Sequence, residues 1–397
     1  MQIGIINFHF SHNYGAVLEC IALKEVINAL GHQVSVIDYR PTYLVQQQTV
    51  YPNPIEYAKW AAGDFHDSTV IYRWYRMIRR AAQAIFKYRN VALRKQREHA
   101  FEPFIERNMC LTKRYTTQDE LRANPPAFDV YISGSDQIWN PYVTGGKLDP
   151  CYFLQFGVDT IRRVAYAVSP CQLDVQKYAE ALNVYLSRYA AISLREDEKR
   201  NELRRIVGND IPICLDPTLL LPADEYRRFE ETISEEKPYI LVYGFLDRDD
   251  LHLLEQTTEM LAQTMCMRII DISQDSLKWS IATIQYKSVT PGEFLSYIKN
   301  ATYVVTNSFH GTAFSLIYHK RLLSVKKSGT GSRLFQILSQ VGLSRLYIED
   351  AVQSDIMREI LCDIDYKESD KKLSLLANDS ISYIVASLSQ FGSIEKA

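Results

Sequence analysis

The chain has 397 residues, 45 Lys+Arg against 47 Asp+Glu, and a formal net charge of −2. At 47% hydrophobic and 23% charged it can bury a core, which excludes a disordered chain. Near-neutrality excludes a protein that grips nucleic acid with its whole surface, and single cores rarely exceed ~250–300 residues, so two domains are expected.

No run of 18 apolar residues is present, so no transmembrane helix is expected. The start, Met1–Asn7 (MQIGIIN), lacks a basic region followed by a cleavable apolar stretch, so a cytoplasmic protein is expected. The seven cysteines are scattered with no CxxC pair, which points to neither a disulfide framework nor a zinc site. The aromatic residues, with 26 Tyr among them, suit a core first and sugar-facing rings second.

In chain order, Gln2–Asn7 reads as a buried strand and Phe8–Gly15 (FHFSHNYG) as a loop. Apolar residues at 17, 18, 21, 23, 26, 27 and 30 predict a helix over 16–30, stopped by Gly31. His32–Asp38 is the next strand, which completes a βαβ unit and implies a parallel sheet. Residues 41–70 are weakly periodic, and 71–110 read as helical. Strands follow at 128–133, 163–169 and 191–194, with helices over 173–189 and 196–206. A charged helix over 223–236 leads to Pro238. A second set of strands (239–244, 267–271, 303–306, 322–325) alternates with helices over 250–264, 291–299 and from 307. The expectation is an α/β protein of two Rossmann-like lobes with a central cleft, ligands lying at the carboxyl ends of strands.

Several polar groups fall at those strand ends. Asn13, Tyr14 and Gly15 close the first loop; a glycine there lets backbone approach a ligand, and Asn13 also fits a plain turn. Gly134, Ser135, Asp136 and Gln137, with Trp139 and Asn140, follow the 128–133 strand, and Ser135 and Asp136 can bond a sugar or cap the next helix. His310, beside Gly311, suits proton transfer near neutral pH. Arg195 can hold a carboxylate or phosphate, or pair with Glu196 or Asp197. Lys326, Lys327 and Arg333, with Gly329 and Gly331 between them, suit an anion or a solvated loop. Ile71–Arg97 carries nine basic residues and no acid, with apolar residues at helical spacing. Such a helix can lie on an anionic membrane surface or pack with its basic face in water. No HExxH or similar metal cluster stands out.

Together, Asn13–Gly15 (NYG), Gly134–Gln137 with Trp139 and Asn140, Tyr166–Ser169 (YAVS), Ser193–Glu196 (SLRE), Leu215–Thr218 (LDPT) and Ser308–Gly311 (SFHG) resemble the polysaccharide pyruvyl transferase family. The resemblance runs over about 3–320 and leaves 41–125 and the tail after about 345 uncovered. It implies a fold like the GT-B glycosyltransferases. It also implies transfer of pyruvate from phosphoenolpyruvate to two hydroxyls of a sugar, as a cyclic ketal, in capsule or exopolysaccharide biosynthesis. The expected acceptor is a hexose in a lipid-linked oligosaccharide precursor, and no cofactor or metal is expected.

On that basis a first lobe over 1–222, with a basic helical insertion at about 41–125, takes the acceptor through Asn13, Tyr14, Gly15, Gly134, Ser135, Asp136, Gln137 and Trp139. A second lobe over 223–372 takes the donor through Arg195 of the first lobe and its own Ser308, Gly311, Lys326, Lys327 and Arg333, with His310 catalytic. A helix over 373–397 can pack back on the first lobe. Some family members carry an Arg two residues before the histidine; here Ser308 stands there, so Lys326, Lys327 or Arg333 must supply that charge. The alternatives are a nucleotide-sugar glycosyltransferase of the same fold and a non-catalytic glycan-binding protein. Against the former, 313–330 offers no Asp or Glu for a ribose. Location is expected at the cytoplasmic side, peripheral to the membrane, with no nucleic acid bound.

Overall fold

Two parallel sheets organise the chain, each in its own unit. The computed structural model describes residues 1–45, 91–245, 251–273, 279, 281, 283–327 and 332–389. The first unit is Met1–Pro217 joined by the chain from Ser380 onward, and the second is Thr218–Asp379. Most of the basic stretch 71–97, up to residue 90, lies outside the described residues, as do Gly329 and Gly331.

The first unit holds β1 (Gln2–Ile6), α1 (Tyr14–Ala29), β2 (Gln33–Val36), α2 (Val91–Asn108), α3 (Gln118–Ala123), β3 (Val130–Ser133), β4 (Arg162–Val168), α4 (Ala179–Leu186), β5 (Ala191–Leu194) and α5 (Arg200–Val207). Its sheet runs β2-β1-β3-β4-β5 and every pairing is parallel. The strands are apolar on both faces because helices cover both. The turn after α1 ends at Gly31, whose φ of 85° favours glycine. The segment after α2 lines the free edge of β2: Val36 N–H donates to Cys110 O at 2.7 Å and Arg40 N–H to Tyr115 O at 2.9 Å. The expected helix over 173–189 is shorter, Ala179–Leu186, because Gln172 adopts a left-handed turn conformation (φ 57°) after Pro170.

The second unit holds β6 (Tyr239–Tyr243), α6 (Leu251–Met265), β7 (Arg268–Asp271), β8 (Thr283–Gln285), α7 (Pro291–Asn300), β9 (Tyr303–Thr306), α8 (Phe309–Ile317), β10 (Arg321–Val325), α9 (Ser332–Gln340), β11 (Tyr347–Ile348) and α10 (Ser354–Ile360). Its order, β11-β10-β9-β6-β7-β8, is that of a dinucleotide-binding fold read from its own first strand. The last helix, α11 (Tyr366–Ser389), divides between the units at Ser380.

The charged helix expected over 223–236 is one turn, Ala223–Tyr226, followed by a 3₁₀ turn, Arg227–Phe229. Its acids are used elsewhere in this unit. Glu230 accepts from Lys299 Nζ at 2.6 Å and Tyr318 Oη at 3.0 Å, and Glu235 pairs with Arg268 at 2.8 Å.

Candidate active site

In each sheet the strand order reverses beside the first strand of the unit, and polar residues gather at the carboxyl ends there, where α/β sheets bind ligands. In the first unit the point lies between β1 and β3. In the second it lies between β6 and β9.

Arg195 follows β5 and is the centre of the first constellation. Its Nη1 donates to Asp216 Oδ2 at 2.7 Å and its Nε to Glu196 Oε2 at 3.4 Å, while Nη2 lies 3.7 Å from Asp136 Oδ1. Burial works against the charge, but Asp216, Glu196 and Asp136 overcome it and raise the guanidinium pKa. An arginine expected to meet a donor anion is therefore committed to three carboxylates of its own unit. Ser135 Oγ donates to Asp216 at 3.5 Å, and Ser169 Oγ donates to Glu196. The backbone is bent to allow this. Asp136 takes φ 66°, Ala167 takes φ 46°, and the β4–β5 register shifts between Ala165 and Val168. Such bulges re-aim side chains beside active sites.

Glu19, on α1, joins this constellation. Burial, then Asp216 and Asp136, push its pKa well above the usual value, against the opposing pull of Arg195 and Asn7. Its charged form is disfavoured there.

The other expected acceptor residues divide. Asn13 caps α1, accepting from Gly15 N–H at 2.9 Å and Ala16 N–H at 3.3 Å. Tyr14 is buried and stacks on Phe101 of α2, centroids 5.1 Å apart. Gly134 packs against Ile5 and Asn7. Gln137 accepts from Asn140 Nδ2 at 2.8 Å. Trp139 is a correction: it is 1% exposed, stacked on Phe153 at 4.9 Å, and its Nε1 donates to Tyr152 O. It packs in the core rather than lining a cleft.

A second polar group in this unit had no counterpart in the expected site. His9 follows β1 and Asp38 follows β2. His9 Nε2 lies 2.9 Å from Asp38 Oδ1. Arg40 Nε donates to the same oxygen at 2.5 Å, and its Nη1 donates to both oxygens of Glu102 at 2.8 and 2.9 Å. Arg114 Nε donates to Asp38 Oδ2 at 3.1 Å, and His12 Nε2 lies 3.5 Å from Glu102. Burial raises the Glu102 carboxyl, but His12 and Arg40 bring it down to about 2. His9 and Arg40 likewise outweigh burial and hold Asp38 well below the carboxylate range. The loop spacing FHFSH contained a signal for this group. Its partner strand end, Asp38–Arg40, became adjacent only through parallel pairing.

In the second unit His310 lies in the first turn of α8 and is 8% exposed. Ser308 caps that helix, its Oγ accepting from Gly311 N–H at 3.3 Å. Gly311 is required sterically: a Cβ there would stand 2.3 Å from Thr306 Oγ1. Asn307 ties the two strand ends together, accepting from Phe245 N–H at 2.8 Å and donating to Phe245 O at 3.1 Å. Lys327 brings its ammonium over the Phe245 ring, 4.7 Å from the centroid. Lys326 is exposed and donates through its backbone to Ile348 O, and Arg333 lies at the start of α9.

These features define a protein of two Rossmann-like domains with polar groups at both switch points. A family model, Polysaccharide pyruvyl transferase, matches residues 13–326. The chain belongs to that family, and so to a family of transferases. No curated protein matches it. Among solved structures it is similar to an alpha-glucosyltransferase in complex with UDP-glucose and DNA containing an abasic site, at 9% identity over 97% of this chain and 95% of that one, TM-score 0.51. It is also similar to UDP-N-acetylglucosamine 2-epimerase from Rickettsia bellii (9% identity, 97% and 96% covered, TM-score 0.48). A third is the Streptomyces sp. SF2575 glycosyltransferase SsfS6 (14% identity, 96% of each chain, TM-score 0.43). At these identities the likeness concerns the fold alone. No described helix is long and apolar enough to cross a membrane.

Proposed function

We propose that this protein transfers the pyruvyl group of phosphoenolpyruvate to two hydroxyls of a sugar, closing a cyclic ketal. The acceptor is a hexose of a lipid-linked saccharide made for a capsule or exopolysaccharide. The observation that carries this reading is the family match over 13–326.

The donor carries a carboxylate and a phosphate and needs cations. Arg195 is committed to Asp216, Glu196 and Asp136, so in this reading the donor anion falls to Lys326, Lys327 and Arg333. Ser308 and Gly311 serve by shaping the turn that carries His310. His310 supplies the proton that the enol carbon takes up. The acceptor falls to the first unit, near Ser135 and Asp136. A lipid-linked acceptor brings the chain to an anionic membrane surface, for which Ile71–Arg97 is the sequence candidate.

The test is phosphate release from phosphoenolpyruvate with a galactose-containing lipid-linked acceptor. His310→Ala should abolish turnover and leave the circular dichroism spectrum unchanged. Thermal shifts separate donors, since the true donor stabilises by mass action. Stabilisation by UDP or GDP, and none by phosphoenolpyruvate, overturns the reading in favour of a nucleotide-sugar glycosyltransferase. Glycan binding without turnover of any donor favours a binding protein.

A further inference from the structure

Tyr142 stands outside every role assigned above, and it is 81% exposed. Among the described residues Phe335 is the only other exposed Phe, Tyr or Trp, and its ring lies 5.6 Å from that of Tyr347. Tyr142 meets no other ring, and its hydroxyl makes no hydrogen bond, among the described residues. A lone exposed ring is common on a protein surface. What sets Tyr142 apart is where its loop is tied.

The loop is fastened to the carboxyl edge of the first sheet on both sides of Tyr142. Asp136 O accepts from Ser169 N–H at 2.9 Å, and Gly146 O accepts from Tyr178 Oη at 2.9 Å. Ser169 and Tyr178 both belong to the segment that leaves the carboxyl end of β4 and leads into α4. Tyr142 therefore lies at the edge where parallel sheets bind ligands. The loop is also braced from within. Tyr142 N–H donates to Asn140 Oδ1 at 2.9 Å, Gly146 N–H to Pro141 O at 2.7 Å, and Thr144 Oγ1 to Lys147 O at 2.6 Å. Asn140 is held in turn, its Nδ2 donating to Gln137 Oε1 at 2.8 Å. An exposed ring on a braced backbone loses little entropy when a ligand covers it.

We infer that the loop from Asp136 to Gly146 holds the acceptor saccharide, the Tyr142 ring stacking on the apolar face of a hexopyranose and the Asp136 carboxylate accepting from hydroxyls of the same saccharide. This rests on the sugar-acceptor part of the reading above and is independent of the donor. A pyranose carries hydroxyls around its rim and C–H bonds on its faces, so it suits a hydrogen-bond acceptor beside a flat π surface. Asp136 supplies the acceptor. Its side chain is 21% exposed, and Arg195 Nη2 stands 3.7 Å away, beyond hydrogen-bond distance. Neither Asp136 oxygen accepts a hydrogen bond among the described residues. Asp216 and Glu196, the other carboxylates on Arg195, are buried and already bonded to it. Asp136 is thus the acid of the three that a ligand can reach.

Binding alone tests this, with no donor present. The full chain is screened against a printed array of galactose-, glucose- and mannose-containing oligosaccharides, and the tightest is titrated by calorimetry. Tyr142→Ala should weaken that saccharide about five- to tenfold, whereas Tyr142→Phe, which keeps the ring, should stay within about twofold of wild type. Neither should move the apparent Tm by more than about 2 °C, because the side chain stands in water. Asp136→Asn, which keeps the shape and loses the charge, should weaken binding about three- to tenfold. Capture of no saccharide by wild type overturns the inference. So does equal affinity of wild type and Tyr142→Ala, or an equal loss in Tyr142→Ala and Tyr142→Phe. Unchanged affinity in Asp136→Asn overturns the part given to the carboxylate. A saccharide held through Tyr142, with no phosphate released from phosphoenolpyruvate, overturns the pyruvyl-transfer reading alone and supports this one.

Discussion

At the scale of single residues, the first unit stores an unusual amount of charge out of water, and each group has a distinct fate. Arg195 balances Asp216, Glu196 and Asp136, all on polar strand ends. Removing one member of a buried ion network leaves uncompensated charge, which costs about 3–5 kcal/mol. Arg195→Met should therefore lower the apparent Tm sharply and shift urea unfolding to lower concentration. A midpoint equal to wild type would mean the network contributes nothing. Glu19 is the opposite case. Its carboxyl pKa is raised, so its contribution is fully present below the unfolded value, about 4.3, and is lost as pH rises toward the folded value. Glutamine matches the neutral acid in shape and has no proton to lose. Glu19→Gln should thus unfold like wild type near pH ~4 and at higher temperature near pH ~8. A variant less stable at both pH values would show that Glu19 works as a carboxylate. Glu102 and Asp38 are depressed, so they stabilise above their unfolded values. That stabilisation should fall away as pH drops from about 4 toward 2. Scanning calorimetry over that range should show a loss that Glu102→Gln reduces and that Asp38 keeps in part.

At the scale of elements, the turn from β9 into α8 is held by contact distances rather than by apolar area. Gly311 lets α8 start against Thr306, whose Oγ1 donates to Tyr243 O at 2.5 Å and accepts from Ser308 N–H at 3.0 Å. Gly311→Ala places a methyl 2.3 Å from that oxygen, so helix and strand must part. Overpacking of this kind costs about 1–3 kcal/mol. The expected result is a lower apparent Tm and a larger fractional loss of turnover than of stability, because His310 rides on the same turn. Equal stability for variant and wild type would mean the turn yields freely. This turn was legible because strand, small residues and helix follow one another within a dozen positions. The same holds for the strands at 128–133, 191–194, 239–244 and 303–306, whose apolar runs lie within a residue or two of the observed elements. β8 and β11 escaped because three and two residues are too short for any period. The helix over 223–236 failed because Glu230 and Glu235 spend their charge on Lys299, Tyr318 and Arg268. Half of the site was legible as polar residues after strands. His9, Asp38, Glu19 and Asp216 were not, since only parallel pairing and the α1 packing bring them to the same sheet edge. Trp139, expected among the acceptor-side residues, packs on Phe153 because an aromatic after a strand has the same letter whether it lines a cleft or fills the core.

At the scale of the whole chain, the net charge of −2 conceals the local economy of charge: nine bases and no acids at 71–97, and eight acids with two bases from Glu349 to Asp370. The sequence also hides where the first unit ends. A boundary at 222 follows from Pro222 and the charges after it, whereas the structure divides at Pro217 and returns to the first unit at Ser380. The reason is visible in three bonds. Leu215 N–H donates to Ser380 Oγ at 2.9 Å, Tyr383 Oη donates to Ala165 O at 3.1 Å, and Arg162 Nε donates to Ser387 O at 2.6 Å. Ile384 and Leu388 are buried as well. The end of α11 thus closes the back of β4, the strand whose bulge sets Ser169 and Ala167 beside the Arg195 constellation. Ending the chain at Asp379 removes these bonds and exposes apolar surface on β4. Two buried aliphatic side chains alone stabilise by about 3–6 kcal/mol. The truncated protein should show an apparent Tm several degrees lower, with hydrogen-exchange protection lost first in Arg162–Val168 and at Leu215. Strands of the second unit, Tyr239–Tyr243 and Tyr303–Thr306, should keep their protection, since neither draws a bond from the removed segment. Uniform loss of protection in both units would show instead that the chain end supports the molecule as one cooperative body, and that β4 has no special dependence on it.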